Sequence, residues 1–105
     1  MKIDYFLMKI YFQILNLEYF NEKGIITSYQ TFFLSNSKET LSLFIENEIN
    51  RYKNSPRDRI STVSEMKMGY PTLKLTKRLS QLDNLVLFEI YPGEILTELI
   101  RIKND

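Results

Sequence analysis

The sequence predicts an α+β fold: a single antiparallel β-sheet of five to six strands with one long helix packed on one face, in the order ββαβββ. Three observations carry this. Only one long stretch, Ser37 to Lys53, has helical periodicity. The segments on either side are rich in aromatic and β-branched residues and are punctuated by turn residues, which suits strands. The length of 105 residues fits one domain, 1–105, and buries roughly 65% of the unfolded surface in a single core.

Residues 5–20, YFLMKIYFQILNLEYF, read as the first strand. Up to Ile14 the even positions Met8, Ile10, Phe12 and Ile14 are the apolar ones, and then Leu15, Leu17 and Tyr19 take over. Such a phase switch predicts a β-bulge near 14–16. Asn21-Glu22-Lys23-Gly24 is a hairpin turn, with Gly24 free to take positive φ. Residues 25–34 form the returning strand.

In the helix, Leu41, Phe44, Ile45, Ile49 and Tyr52 fall on one stripe. Ser35, Asn36 or Ser37 can cap its start. Glu39 near the start and Arg51 and Lys53 near the end complement the helix dipole. Asn54-Ser55-Pro56 stops it, because a residue before proline is steered away from helical backbone. Leu43 lies off the stripe and is expected to face solvent or a partner.

After a loop at 54–59, residues 60–68 and 72–79 alternate apolar and polar side chains and read as two strands of a hairpin around Gly69-Tyr70-Pro71. A turn at 81–84 follows. Residues 85–91, LVLFEIY, are the most continuously apolar run and predict a central strand, broken by Pro92-Gly93. Residues 94–102, EILTELIRI, fit a helix or a strand; the density of Ile and Thr favours a strand hairpinned on 85–91. The ββα opening is also compatible with a ubiquitin-like (β-grasp) arrangement, which requires the first and last strands to pair in parallel.

The first two strands carry apolar residues on both faces: Ile10, Phe12, Ile14 against Tyr11, Leu15, Leu17, and Phe32, Leu34 against Tyr29, Phe33. One helix covers one face. The other is left to the C-terminal segment, a second copy or a partner.

Composition excludes most chemistry. There are no cysteines, hence no disulfide or thiolate nucleophile, and no histidines, the usual general base and metal ligand. The three glycines are isolated, so there is no phosphate loop. Glu46 and Glu48 do not share a helix face. Neither an enzyme, nor a cofactor, nor a metal site is expected. The N-terminal apolar residues are interrupted by Asp4, Lys9 and Gln13, so no signal or spanning segment fits and the cytoplasm is the expected compartment. Met1-Lys2-Ile3 is echoed at Met8-Lys9-Ile10, which makes Met8 an alternative start; chance is the simpler reading.

The net charge of +1 hides a pattern. Residues 51–80 carry eight basic side chains, Arg51, Lys53, Arg57, Arg59, Lys67, Lys74, Lys77 and Arg78, against two acidic ones. The flanking segments are net acidic. With Tyr70 and Leu43, these eight are the candidate binding residues. Such a patch would dock on an acidic protein surface or hold phosphates; the plain alternative is a solvated surface neutralised by acids from elsewhere in the chain.

Alanine is absent, and Phe, Tyr, Met, Ile, Asn and Lys make up 47 of the 105 residues. Their AT-rich codons point to a low-GC bacterium, or to a phage or mobile element within one. The expected function is a small, non-catalytic protein that associates stoichiometrically with a larger bacterial or defence-system protein or nucleoprotein. It would be an inhibitor or anti-defence protein of the anti-CRISPR or immunity type, with exposed aromatic residues as hot spots. The alternatives are an RNA- or DNA-binding protein using segment 51–78, and a homodimeric assembly protein.

Overall fold

The computed structural model describes residues 4–79, 88–90 and 93–102. A short 3-10 turn at Tyr5–Leu7 leads into β1, Ile10–Phe20, and β2, Ile26–Ser35. Then come α1, Lys38–Lys53; β3, Asp58–Val63; β4, Lys67–Pro71; and α2, Leu73–Leu79. The chain ends in β5, Phe88–Ile90; α3, Leu96–Leu99; and β6, Ile100–Arg101. The class is α+β, as the sequence predicts. The strands lie in the order β5-β2-β1-β4-β6, with β3 also paired to β1, and every pairing is antiparallel. β1 is therefore the axis. β2 runs along one of its edges, while β4 (beside Ile10–Phe12) and β3 (beside Leu15–Tyr19) share the other end to end.

The β1–β2 turn forms for local reasons. The Asn21 carboxamide oxygen accepts the N–H groups of Lys23 and Ile25 at 2.9 and 3.0 Å. Gly24 sits at φ +76°, which a side chain would strain. The ladder above the turn is unbroken from Phe20↔Ile26 to Tyr11↔Ser35. The bulge expected near 14–16 is thus not in this hairpin. Among the described residues a register shift lies between Asn16 and Leu17 in the β1–β3 ladder, where β3 supplies the extra residue, Ser61.

The phase switch in β1 has a different cause: its two halves bury opposite faces. Ile10 and Phe12 join Phe32, Leu34, Leu75, Leu79, Leu99 and Ile100 in one core. Leu15 and Leu17 join Phe33, Leu41 and Ile45 in another. Strand side chains alternate between faces, so even and odd positions of one regular strand necessarily enter different layers. α1 covers the odd face; α2, α3 and β6 cover the even face at the other end. The second cover that two apolar faces demand is supplied by the chain's own C-terminal part.

α1 forms as its sequence predicts. Ser37 is the N-cap, and its hydroxyl accepts the Thr40 N–H at 3.3 Å. Leu41 and Ile45 are buried, and Phe44, Ile49 and Tyr52 pack around the same core. The Phe33 and Phe44 rings meet at 4.9 Å between centroids, tilted 51°. Leu43 is 60% exposed.

The C-terminal half departs from expectation. Residues 72–79 are not a strand. Leu75 and Leu79, four apart, are both fully buried, whereas Leu73 is 69% exposed. That is a helical spacing, and Leu73-Leu75 alternation only mimics a strand. The turn starts at Thr72, whose carbonyl accepts the Thr76 N–H at 2.8 Å. The expected hairpin of 60–68 with 72–79 therefore does not exist. Residues 60–68 divide into β3 and β4, which follow each other along the same edge of β1. Of the expected central strand 85–91, the part within the described residues, Phe88–Ile90, lies at the sheet edge beside β2. The turn at 81–84 lies outside the described residues. Residues 94–102 hold both a helical turn and a short strand, and β6 pairs with β4 rather than with 85–91. That pairing is antiparallel, which removes the β-grasp alternative. It also needs Gly69: a Cβ there would sit 2.5 Å from Ile100 Cγ2 and 2.7 Å from the Arg101 carbonyl oxygen. Among the described residues no helix is long and apolar enough to cross a membrane.

Both covers should contribute comparably to stability. Leu41→Ala beneath α1 and Leu75→Ala beneath α2 should each lower the unfolding free energy by about 2–5 kcal/mol in urea titrations. A loss of under about 1 kcal/mol for Leu75→Ala would mean that α2 does not seal the sheet.

Candidate binding surface

The eight basic candidates fall into separate places. Arg51 and Lys53 end α1, Arg57 precedes β3, and Arg59 lies in it opposite Glu18. Lys74, Lys77 and Arg78 are on α2, which packs over Ile10 and Phe12 on the other face of the sheet. From Phe12 to Glu18 along β1 is about 20 Å. Lys67 starts β4 opposite Phe12. The helical state of 73–79 causes this division, since the two groups would meet only if 60–68 and 72–79 formed a hairpin.

Most of these cations are already paired. Arg51 makes a two-pronged bond to Glu48, with Nε–Oε1 3.1 Å and Nη2–Oε2 2.6 Å, and stacks 4.5 Å from the Tyr52 ring centroid. The Glu48 carboxylate holds this guanidinium still more firmly protonated. Arg59 bonds Glu18 at 2.6 Å and lies 4.9 Å over Phe20. Arg57 reaches Glu22 only at 3.9 Å. Lys74 pairs with Glu98 at 3.0 Å, and Arg78 with Glu94. Among the described residues Lys53 and Lys67 make no ion pair. The acids come from the two net-acidic flanks, so folding brings the basic middle its counter-charges. At the surface each pair is worth only about 0–1 kcal/mol, so these are loosely held partners.

Lys53 and Arg59 of the first group border a groove of about 360 Å³ between α1 and β3. Ile49, Tyr52, Ile60 and Val63 supply its apolar lining and Lys53 its cation, while Arg59 borders it with its guanidinium held on the other face of the sheet by Glu18 and Phe20. Beneath it the Tyr29 hydroxyl donates to Asp58 at 3.3 Å. Burial, then the proximity of Tyr52 and Asp58, pushes the Tyr29 phenol up to about 12. Nothing here resembles a nucleophile with its base. No group of three or more potential metal ligands converges among the described residues.

The remaining candidates lie elsewhere. Leu43 edges a shallow groove with Lys38, Glu39, Ser42, Glu46 and Met66. Tyr70 lines a groove of about 610 Å³ with Leu7, Arg101 and Ile102. Sequence reasoning missed Arg101. Its guanidinium lies 3.5 Å over the Phe6 ring and 5.7 Å from that of Tyr70. It donates to the carbonyls of Phe6 and Pro71 at 2.6 and 3.0 Å. This arginine pins the N-terminal turn onto β4 and β6. No local signal marks it, because Phe6 is 95 residues away.

Compared with known proteins, the chain matches no family model, no curated protein and no solved structure.

The Tyr29–Asp58 pair makes a pH prediction. The folded state favours the neutral phenol, whose ordinary pKa is 10.0. Its contribution to stability is complete below that value and is lost as pH rises through about 12. Wild type should therefore lose more stability than Tyr29→Phe between pH 10 and about 12 in denaturant titrations. Identical slopes for the two proteins would refute the assignment.

Proposed function

We propose that the chain is a non-catalytic binding protein that associates stoichiometrically with a larger protein, and that the end of α1 together with β3 is its contact surface. The groove between them supports this reading. It combines an aliphatic lining with a tyrosine, Tyr52, on whose ring Arg51 stacks, and tyrosine and arginine are among the residue types that dominate protein–protein hot spots. Chemistry at a reacting bond has little support in a chain without histidine or cysteine.

Charge pairing favours a protein partner over nucleic acid. A phosphate backbone is held by several uncompensated cations, and its binding grows with their number. Around this groove Lys53 is the cation with no carboxylate among the described residues; Arg51, Arg57 and Arg59 face Glu48, Glu22 and Glu18. Composition supports an origin in a low-GC bacterium, its phages or its mobile elements. Within the class of binders we assign the chain to the inhibitors and anti-defence proteins, of the anti-CRISPR or immunity type, which act by occupying a larger protein in the cytoplasm.

The test is affinity capture from low-GC hosts and from strains carrying candidate defence systems, with wild type beside Lys53→Glu/Val63→Asp. The expected result is one-to-one capture of a protein, weakened at least about tenfold in the double variant, or about 1.4 kcal/mol. A generic oligonucleotide should bind no tighter than about 0.1 mM at low salt. Tight, steeply salt-dependent oligonucleotide binding that Arg57→Glu and Arg59→Glu abolish would sink the reading in favour of a nucleic-acid-binding protein.

A further inference from the structure

The sheet has one long edge that is open and unguarded among the described residues. Among the described residues β5 pairs with Phe32–Leu34 of β2, and Ile26–Gln30 have no neighbour on that side. Backbone hydrogen bonds on both sides of β1 fix which groups point outward. Asn21 N–H donates to the Ile25 carbonyl, so odd residues of the hairpin bond across it. Phe20 N–H donates to the Arg57 carbonyl and Ser64 N–H to the Ile14 carbonyl, so even residues of β1 face β3. By alternation, the N–H and C=O groups of Ile26, Ser28 and Gln30 point away from the molecule.

Exposed edges in natural proteins are blunted by charge, proline, bulges or shortness. β3 carries Asp58, Arg59 and the extra residue Ser61, and β6 is two residues long. The free stretch of β2, ITSYQ, has no charge, proline, glycine or register shift. It begins at Ile26, 50% exposed, directly after Ile25, 57% exposed.

We propose that this edge pairs with the same edge of a second copy. The stretch is self-complementary. An antiparallel pairing with its twofold axis at Ser28 sets Ser28 against its equivalent, Ile26 against Gln30 and Thr27 against Tyr29. The outward groups of Ile26, Ser28 and Gln30 then bond in register, no charges meet, and a β-branched residue faces an aromatic one. The contact is isologous and closes at two copies. Its length stops where β5 begins, so it is short and belongs to the weak class of interfaces. It leaves the α1–β3 groove open on each copy, at the opposite edge of β1, so the dimer presents that surface twice. The proposal needs no partner protein and stands apart from the function proposed above.

Sedimentation equilibrium of the full chain tests it. The apparent mass should rise from 12.6 kDa toward twice that value between about 10 µM and 1 mM. Ser28→Lys, which sets two like charges across the axis at an exposed position, should hold the mass at 12.6 kDa with an unchanged far-UV spectrum. In a chain without cysteine, Ser28→Cys should oxidise to a disulfide dimer at least about tenfold faster than Leu43→Cys, since paired Cα atoms about 5.5 Å apart suit the bond. A wild type that stays monomeric at 1 mM, a dimer that Ser28→Lys leaves intact, or equal oxidation of the two cysteine variants would each overturn the proposal.

Discussion

Side chains of a strand alternate between the two faces of its sheet, so a strand that buries Ile10 and Phe12 at one end and Leu15 and Leu17 at the other must be covered from both sides. β1 is that strand. The constraint explains why the fold needs a helix before β3 and further helices after β4. It also explains why the C-terminal part returns to the N-terminal half of β1. If α2, α3 and β6 were absent, Ile10, Phe12, Phe32 and Leu34 would face water together. Burying each such side chain contributes about 1.5–3 kcal/mol, so the two covers are of similar weight.

The first half of the fold was legible because its signals are local. Ser37 caps α1, the stripe from Leu41 to Tyr52 has helical spacing, and Asn21 to Gly24 form a turn with their own side chains. The phase switch in β1 was visible too, but its meaning was not. A bulge and a change of covered face write the same pattern into one strand, and only the unbroken β1–β2 ladder separates them. Segment 72–79 failed for a related reason. Leu75 and Leu79, four apart, satisfy both periods over so short a run, and what decides is the sheet face beneath, to which they are fitted. β6 was not legible because two residues carry no period at all.

The candidate surface shows the same limit. Counting charges along the chain found the basic middle and its acidic flanks. It could not show that Glu18 meets Arg59 from 41 residues away, or that Arg101 leaves the last segment to stack on Phe6. Long-range pairing converts a patch that looks continuous in sequence into separate, largely compensated clusters. What remains distinctive is shape: the α1–β3 groove on one side of β1 and, on the other, the edge of β2 that is bare among the described residues.

The two-sided burial of β1 is tested most directly by nuclear Overhauser effects in methyl- and aromatic-labelled protein. Phe12 ring protons should show cross-peaks to the methyls of Leu75 and Leu79, while Leu15 and Leu17 methyls show them to Leu41 and Ile45. Cross-peaks from Phe12 and Leu17 to the same helix would contradict the account, because they would put both halves of the strand in one layer.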